Sequence, residues 1–311
     1  MKTLLRKIQI ISLVVLIGLG ISSIDNVASA KPITSKQYAN SRNLRYHKQP
    51  QNTTATVNIP TNTEESSNWG GYIVTPTANS GYTSISGSWT VPNISSTQQN
   101  AVASQWIGLG GVSSTDLLQM GTIEQMENGQ PTAEVFWEQL PDVAQDVISV
   151  PIGSTIKVSI AESSSSTWDL TFTVNTSGVQ TQTQTISTTL DSSYAQGIGT
   201  SAEWISEDPS DTNGQLVPLA NMGTVQYQSA MVNGQALNAS GNTVQPIAMV
   251  SSSGAIVISP SELGTDGESF TTTSTNSTSS VSTGGHRLRR FPKRTLRHNS
   301  IPFSINRHYW R

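Results

Sequence analysis

The sequence predicts an all-β protein of antiparallel sheets, closed as a sandwich or a barrel. Three observations predict it. Apolar side chains recur with a period of two, as in Trp168, Leu170, Phe172 and Val174 set against Asp169, Thr171 and Thr173. Gly, Pro, Asn and Asp punctuate these runs every 8–15 residues. No stretch of ten or more residues carries a 3.6-residue apolar period. Period-two alternation favours antiparallel sheets over a doubly wound parallel one, whose strands read as continuous apolar runs.

Taken in order, the chain opens on a secretory leader. Lys2, Arg6 and Lys7 precede an apolar stretch from Ile8 to Ile21, and Ala28-Ser29-Ala30 supplies a small-residue cleavage site. The apolar stretch is shorter than the roughly 20 residues of a membrane span. Residues 1–30 are therefore read as a signal peptide, and the remainder as free of membrane. Residues 31–65 are basic, with Lys31, Lys36, Arg42, Arg45 and Lys48 among Asn, Gln and Thr. They are read as a prosegment. Strand runs follow at Thr83–Val91, Ile156–Ile160, Trp168–Val174 and Ala255–Ile258, with a more polar one at Val179–Leu190. Residues 66–270 are taken as one catalytic domain, 271–285 as a Ser/Thr/Gly linker, and 286–311 as a basic tail without a catalytic role.

Charge segregates along this order. Lys157 is the single cation of residues 66–280, which hold 17 of the 20 acids and so carry −16. That balance excludes a nucleic-acid surface, which needs Lys and Arg in number. The chain has no cysteine, and its four histidines (His47, His286, His298, His308) lie outside the segment. Thiolate chemistry, a Ser-His-Asp triad and a histidine metal site are thereby excluded, and no metal or cofactor is expected. What is left is carboxyl, amide and hydroxyl chemistry. At neutral pH the basic prosegment should be drawn to the acidic domain, and acidification should release it.

Three segments concentrate candidates: Gln105 to Gly108 with Leu117 to Gly121; Phe136 to Asp142; and Ala202 to Asp208. Singly, each has an ordinary structural reading, and the residues alone leave several functions open. A glycoside hydrolase would use a carboxyl pair such as Glu138 and Glu203, about 5–5.5 Å or about 6.5–9.5 Å apart. A lectin-like module would use none of them catalytically.

The ordered set of motifs goes further. Asn68-Trp69-Gly70-Gly71-Tyr72, Tyr82 to Pro92, Gln105-Trp106-Ile107-Gly108, Leu118-Gln119-Met120-Gly121, Glu138 to Asp142, Ala202 to Asp208 and Leu216-Val217-Pro218 resemble, in the same order, the glutamic peptidases (eqolisins). The resemblance covers about residues 66–230. It implies a β-sandwich of two antiparallel sheets, of jelly-roll type, and a secreted, acid-active endopeptidase acting on polypeptides, here expected as a monomer. It implies Gln119 and Glu203 as the catalytic pair, Glu203 activating a water and Gln119 stabilising the oxyanion. Glu138 and Glu207 fall on supporting acidic positions, and Trp69 and Trp106 on aromatics of the substrate groove. The chain departs from the family pattern at Gly110 and Ile123, where aspartates are expected, and in lacking disulfides. The family's aromatic-segment tryptophan falls on Phe136 or, shifted by one, on Trp137.

Overall fold

The computed structural model describes residues 59–275 except 79–80 and 212–214. The signal peptide, the prosegment up to residue 58, most of the Ser/Thr/Gly linker and the basic tail lie outside the described residues. The strands are β1 (Glu64–Ser66), β2 (Trp69–Pro76), β3 (Ser84–Thr90), β4 (Val102–Gly110), β5 (Leu117–Glu127) and β6 (Gln130–Gln139). Then come β7 (Gln145–Ser149), β8 (Thr155–Ser164), β9 (Thr167–Asn175), β10 (Gln182–Thr189), the helix α1 (Ser192–Ile198) and β11 (Ala202–Glu207). The last are β12 (Thr224–Val232), β13 (Gln235–Ala236), β14 (Asn242–Val250), β15 (Ile256–Pro260) and β16 (Phe270–Ser274). β16 carries the folded body a few residues past the expected boundary at 270.

One path of hydrogen-bonded neighbours links the strands in the order β10-β9-β8-β3-β12-β16-β15-β14-β2-β11-β4-β5-β6-β7. β12 turns this path into two layers. Its first half pairs with β16 and its second half with β3, with a register shift between Gln228 and Met231. Ser229 sits in that shift at φ 50°, as a bulge residue that bends the strand. Two tryptophans bridge the layers. Trp204 Nε1 on β11 donates to the Ser86 carbonyl on β3 at 2.8 Å, and Trp89 Nε1 on β3 donates to Thr122 Oγ1 on β5 at 3.0 Å. The core between them takes Ile85, Trp89, Ile156, Val158, Ile160, Trp168, Leu170 and Phe172 from one layer, and Tyr72, Val74, Ile107, Leu109, Leu118 and Met120 from the other. Burying each large apolar side chain contributes about 1.5–3 kcal/mol.

The predicted alternation holds for β3, β8 and β9, each with one face in the core and one toward water. It fails for β4 and β5, which are buried on both faces over nearly their whole length. The reason is a second apolar cluster on the back of the same sheet, made of Trp69, Ile73, Val102, Trp106, Leu117, Ile123, Phe136, Leu140, Ala144, Ile205 and Ile247.

The end assigned by composition to the prosegment is built into the body. Pro60, Thr63, Glu65 and Ser66 are buried, β1 pairs in parallel with β14, and Ser66 Oγ accepts from the Trp69 backbone N–H at 3.1 Å.

Candidate active site

The site grows from one hairpin. Asn128-Gly129 joins β5 to β6 with positive φ at both residues, 50° and 78°. This is the pairing that a tight two-residue hairpin turn requires. The turn sets Glu127 opposite Gln130, and the same register brings Gln119 opposite Glu138. Two further ladders extend that row. Gly108 on β4 faces Gln119 on one side and Glu203 on the other. Glu203 faces Ile73 on β2. The row across the sheet therefore reads Ile73, Glu203, Gly108, Gln119, Glu138.

Side-chain parity puts the functional groups on the back face, away from the inter-sheet core. Along β11, Ala202 and Trp204 enter the core, while Ile205 belongs to the second cluster; Glu203 and Glu207 share the face of Ile205. Along β5, Leu118 and Met120 enter the core and Leu117 and Ile123 the second cluster, which places Gln119 on the back face. Glu138 follows Phe136 to the same side. Phe136, in the second cluster, thus takes the face expected of the aromatic-segment tryptophan, while Trp137 packs against the inter-sheet core.

Gly108 makes the pair usable. Glu203 and Gln119 lie two strand spacings apart, about 9.6 Å between backbones. The strand between them presents no side chain there. A Cβ on Gly108 would sit 2.9 Å from Leu117 Cδ1, 3.0 Å from Trp106 Cζ3 and 3.3 Å from Gln119 Cβ. Between the carboxyl and the amide the middle strand thus leaves a narrow slot, into which Leu117 and Trp106 already reach. Gly108→Ala is expected to fill it and to lower kcat/KM by about 10–100-fold through misplacement of the reacting groups. Steady-state kinetics beside a urea midpoint checks this, since the effect should exceed any loss of stability.

The groups on either side of the slot are buried. Glu203 is fully buried, and the Ser201 hydroxyl lies near its carboxyl without meeting it in full hydrogen-bond geometry. Burial pushes its pKa well above the usual carboxylate value, and Ser201 opposes the shift only in part. Gln119 is 3% exposed; its Nε2 donates to Glu138 Oε2 at 2.5 Å, while its Oε1 takes no hydrogen bond from a described residue.

Glu207 stands apart from this row. Four residues along a strand is about 13 Å, so it does not touch the pair. Its carboxylate accepts from Trp106 Nε1 at 2.7 Å, Trp69 Nε1 at 3.0 Å and Asn68 Nδ2 at 3.2 Å. Burial raises its pKa to about 8 against these donors. The two indoles meet edge to face with centroids 5.0 Å apart, and both are 0% exposed. Trp69 and Trp106, expected on the substrate groove, have their polar edges on Glu207 and their rings against each other. Gly110, where an aspartate was expected, adopts φ 91°, and a Cβ there would lie 2.2 Å from the Asp116 carbonyl oxygen. The local backbone demands glycine.

Sequence reasoning did not single out Gly108 as a functional position. Nor did it use the Asn128-Gly129 turn, which was a readable signal for the Gln119–Glu138 pairing. Among the described residues no cluster of three or more metal-ligating side chains occurs. No described helix is long and apolar enough to cross a membrane.

The peptidase A4 family model matches residues 67–283. Aspergillopepsin-2 of Aspergillus niger is 31% identical over 212 residues, spanning 61% of this chain and 71% of that protein. Among solved structures, scytalido-glutamic peptidase with a transition state analog inhibitor has a TM-score of 0.55 at 24% identity, covering 67% of this chain and 98% of that one. SCP-B, an eqolisin in complex with the tripeptide Ala-Ile-His, has a TM-score of 0.50 at 22% identity with the same coverage of both chains. These two show the shared β-sandwich fold. The chain belongs to the peptidase A4 (eqolisin) family and is a glutamic endopeptidase.

Proposed function

We propose that the chain is a secreted, monomeric endopeptidase that hydrolyses polypeptides with Gln119 and Glu203 as its catalytic pair. The observation that carries this reading is the Gly108 slot between a buried carboxyl and a buried amide in one ladder row. The ionised Glu203 takes a proton from a water in the slot, and the hydroxide oxygen bonds to the scissile carbonyl carbon. The carbonyl oxygen becomes an oxyanion, which accepts from the Gln119 amide N–H. When the C–N bond breaks, Glu203 passes its proton to the leaving nitrogen, giving an acid and an amine. An amide does not titrate, so the oxyanion donor persists at any pH.

The raised pKa of Glu203 has a definite sign. The rate should climb as pH rises through a value above the usual carboxylate range, because only the ionised form is a base. We place the working range in mild acid, since the fold is expected to weaken toward neutral pH as argued below. Secretion is supported by the leader ending in Ala28-Ser29-Ala30.

A glycoside hydrolase fits less well. Gln119 stands between Glu138 and Glu203 in the ladder row, and the Glu138 carboxyl is engaged by the Gln119 amide. Digestion of a denatured protein and of polysaccharides across pH 2–7 separates the two readings. Gln119→Ala is expected to lower kcat for the protein substrate by about 10²–10³-fold, the usual size of a lost oxyanion donor. Wild-type turnover in that variant would remove Gln119 from the pair.

A further inference from the structure

We propose that Glu138 is a positioning residue that fixes the orientation of the Gln119 amide. The inference rests on the Gln119/Glu203 reading. An amide has two nearly isosteric ends, a donor and an acceptor, and can turn over within the same space. Catalysis needs one orientation: an N–H must reach the oxyanion. A carboxylate can only accept, so an ionised partner selects the amide nitrogen and rejects the oxygen.

The structure supplies that partner. Glu138 lies directly across from Gln119 in the β5–β6 register, and its Oε2 accepts from Gln119 Nε2 at 2.5 Å. Both side chains are 3% exposed, so water competes little for the contact. Nε2 has two hydrogens. With one held by Glu138, the other stays free for the oxyanion, while Oε1 is turned away from Glu138. Oε1 is also the atom that takes no hydrogen bond from a described residue, and it can accept the second hydrogen of the attacking water. Amide orientation is thus decided one strand beyond the reacting atoms.

The charged groups whose influence reaches the same region are acidic. Asp116 just before β5, Asp142 just after β6, and Glu138 itself all act on the Tyr194 phenol of α1, and Glu138 also acts on Glu207. Tyr194 donates its hydroxyl to the Leu117 carbonyl at 2.8 Å. Lys157, the only lysine or arginine among the described residues, belongs to β8 in the other layer.

The test is a double-mutant cycle read in kcat and KM separately. Glu138→Ala is expected to lower kcat by about 10²-fold while KM changes less than about threefold, because a positioning residue acts through Gln119. Glu138→Gln keeps the shape but can donate as well as accept, so its loss should be smaller than that of Glu138→Ala, with the urea midpoint near wild type. In a Gln119→Ala background, Glu138→Ala should cost nothing further, since there is no amide left to orient. Three results would overturn the proposal: a kcat for Glu138→Ala within twofold of wild type, a loss that appears in KM, or an undiminished loss in the Gln119→Ala background. Retained turnover in Gln119→Ala alone would instead overturn the catalytic pair, which separates the two failures.

Discussion

Glu203→Gln is expected to lower kcat by about four orders of magnitude, the upper range for loss of a positioned acid–base group. The substitution keeps the length and planarity of the side chain and removes its basicity. The site is fully buried, so no bulk water is at hand to take the role. The same substitution should not weaken the fold at neutral pH. The wild-type side chain there is a buried carboxyl whose charge no described residue balances. A neutral amide avoids the desolvation penalty of the ionised form. The pair of results is diagnostic: activity at the detection limit, with a urea midpoint at pH 7 equal to or above wild type. Activity loss together with collapse of the midpoint would make Glu203 a structural residue. Turnover near wild type would exclude it as the base.

The second large effect concerns stability and pH, and centres on Glu124. This residue lies on β5 on the core side of the sheet, fully buried between Ala103 and Ala133 of the flanking strands. Neither of its oxygens takes a hydrogen bond from a described residue by distance and angle. Burial raises its pKa from the ordinary 4.5 to about 8, with Thr122 opposing the shift, and its charge bears on the buried Tyr227 phenol. A carboxyl whose pKa is raised in the folded state favours folding most when both states are protonated. Its stabilising share is complete below about pH 4.5 and is lost as pH rises to about 8. A shift of that size corresponds to about 5 kcal/mol, a large part of the 5–15 kcal/mol typical of a domain. Glu207 and Asp208, both raised to about 8 by burial, act in the same direction. Urea titrations at pH 4.5 and pH 8 should show wild type losing several kcal/mol over this interval. Glu124→Gln should lose clearly less, while leaving kcat at acid pH within about twofold, since it is on the face opposite the slot. Equal pH dependence in the two proteins would mean that Glu124 is not the group responsible.

Much of the fold was legible in the sequence because some strands have one wet face and one dry face. For β3, β8 and β9 the alternation of residue type is a direct image of that asymmetry. β4 and β5 gave no such image. They carry Gln119 and Gly108, and the back face on which Gln119 lies is covered by a second apolar cluster. Trp69, Ile73, Trp106 and Ile205 belong to that cluster, so both faces are buried and the period vanishes. The two glutamates of β11 were placed on one face by parity alone. Their separate duties were not legible, because parity says nothing about which neighbours a strand acquires.

The sequence by itself determined the all-β class, the −16 charge of residues 66–280 and the chemistry that absent Cys and His leave available there. These follow from composition and local period, which need no knowledge of contacts. It also offered Gln119, Glu203, Glu138 and Glu207 through resemblance. Only the tertiary structure decided that Gln119 and Glu203 face each other across Gly108, that Glu138 holds the Gln119 amide, and that Trp69 and Trp106 donate to Glu207. The physical reason is strand order. β11 inserts between β2 and β4, strands far from it in the chain, and this pairing is selected by burial of two apolar faces at once. A property of the whole sheet such as this leaves no signature in any short stretch of sequence.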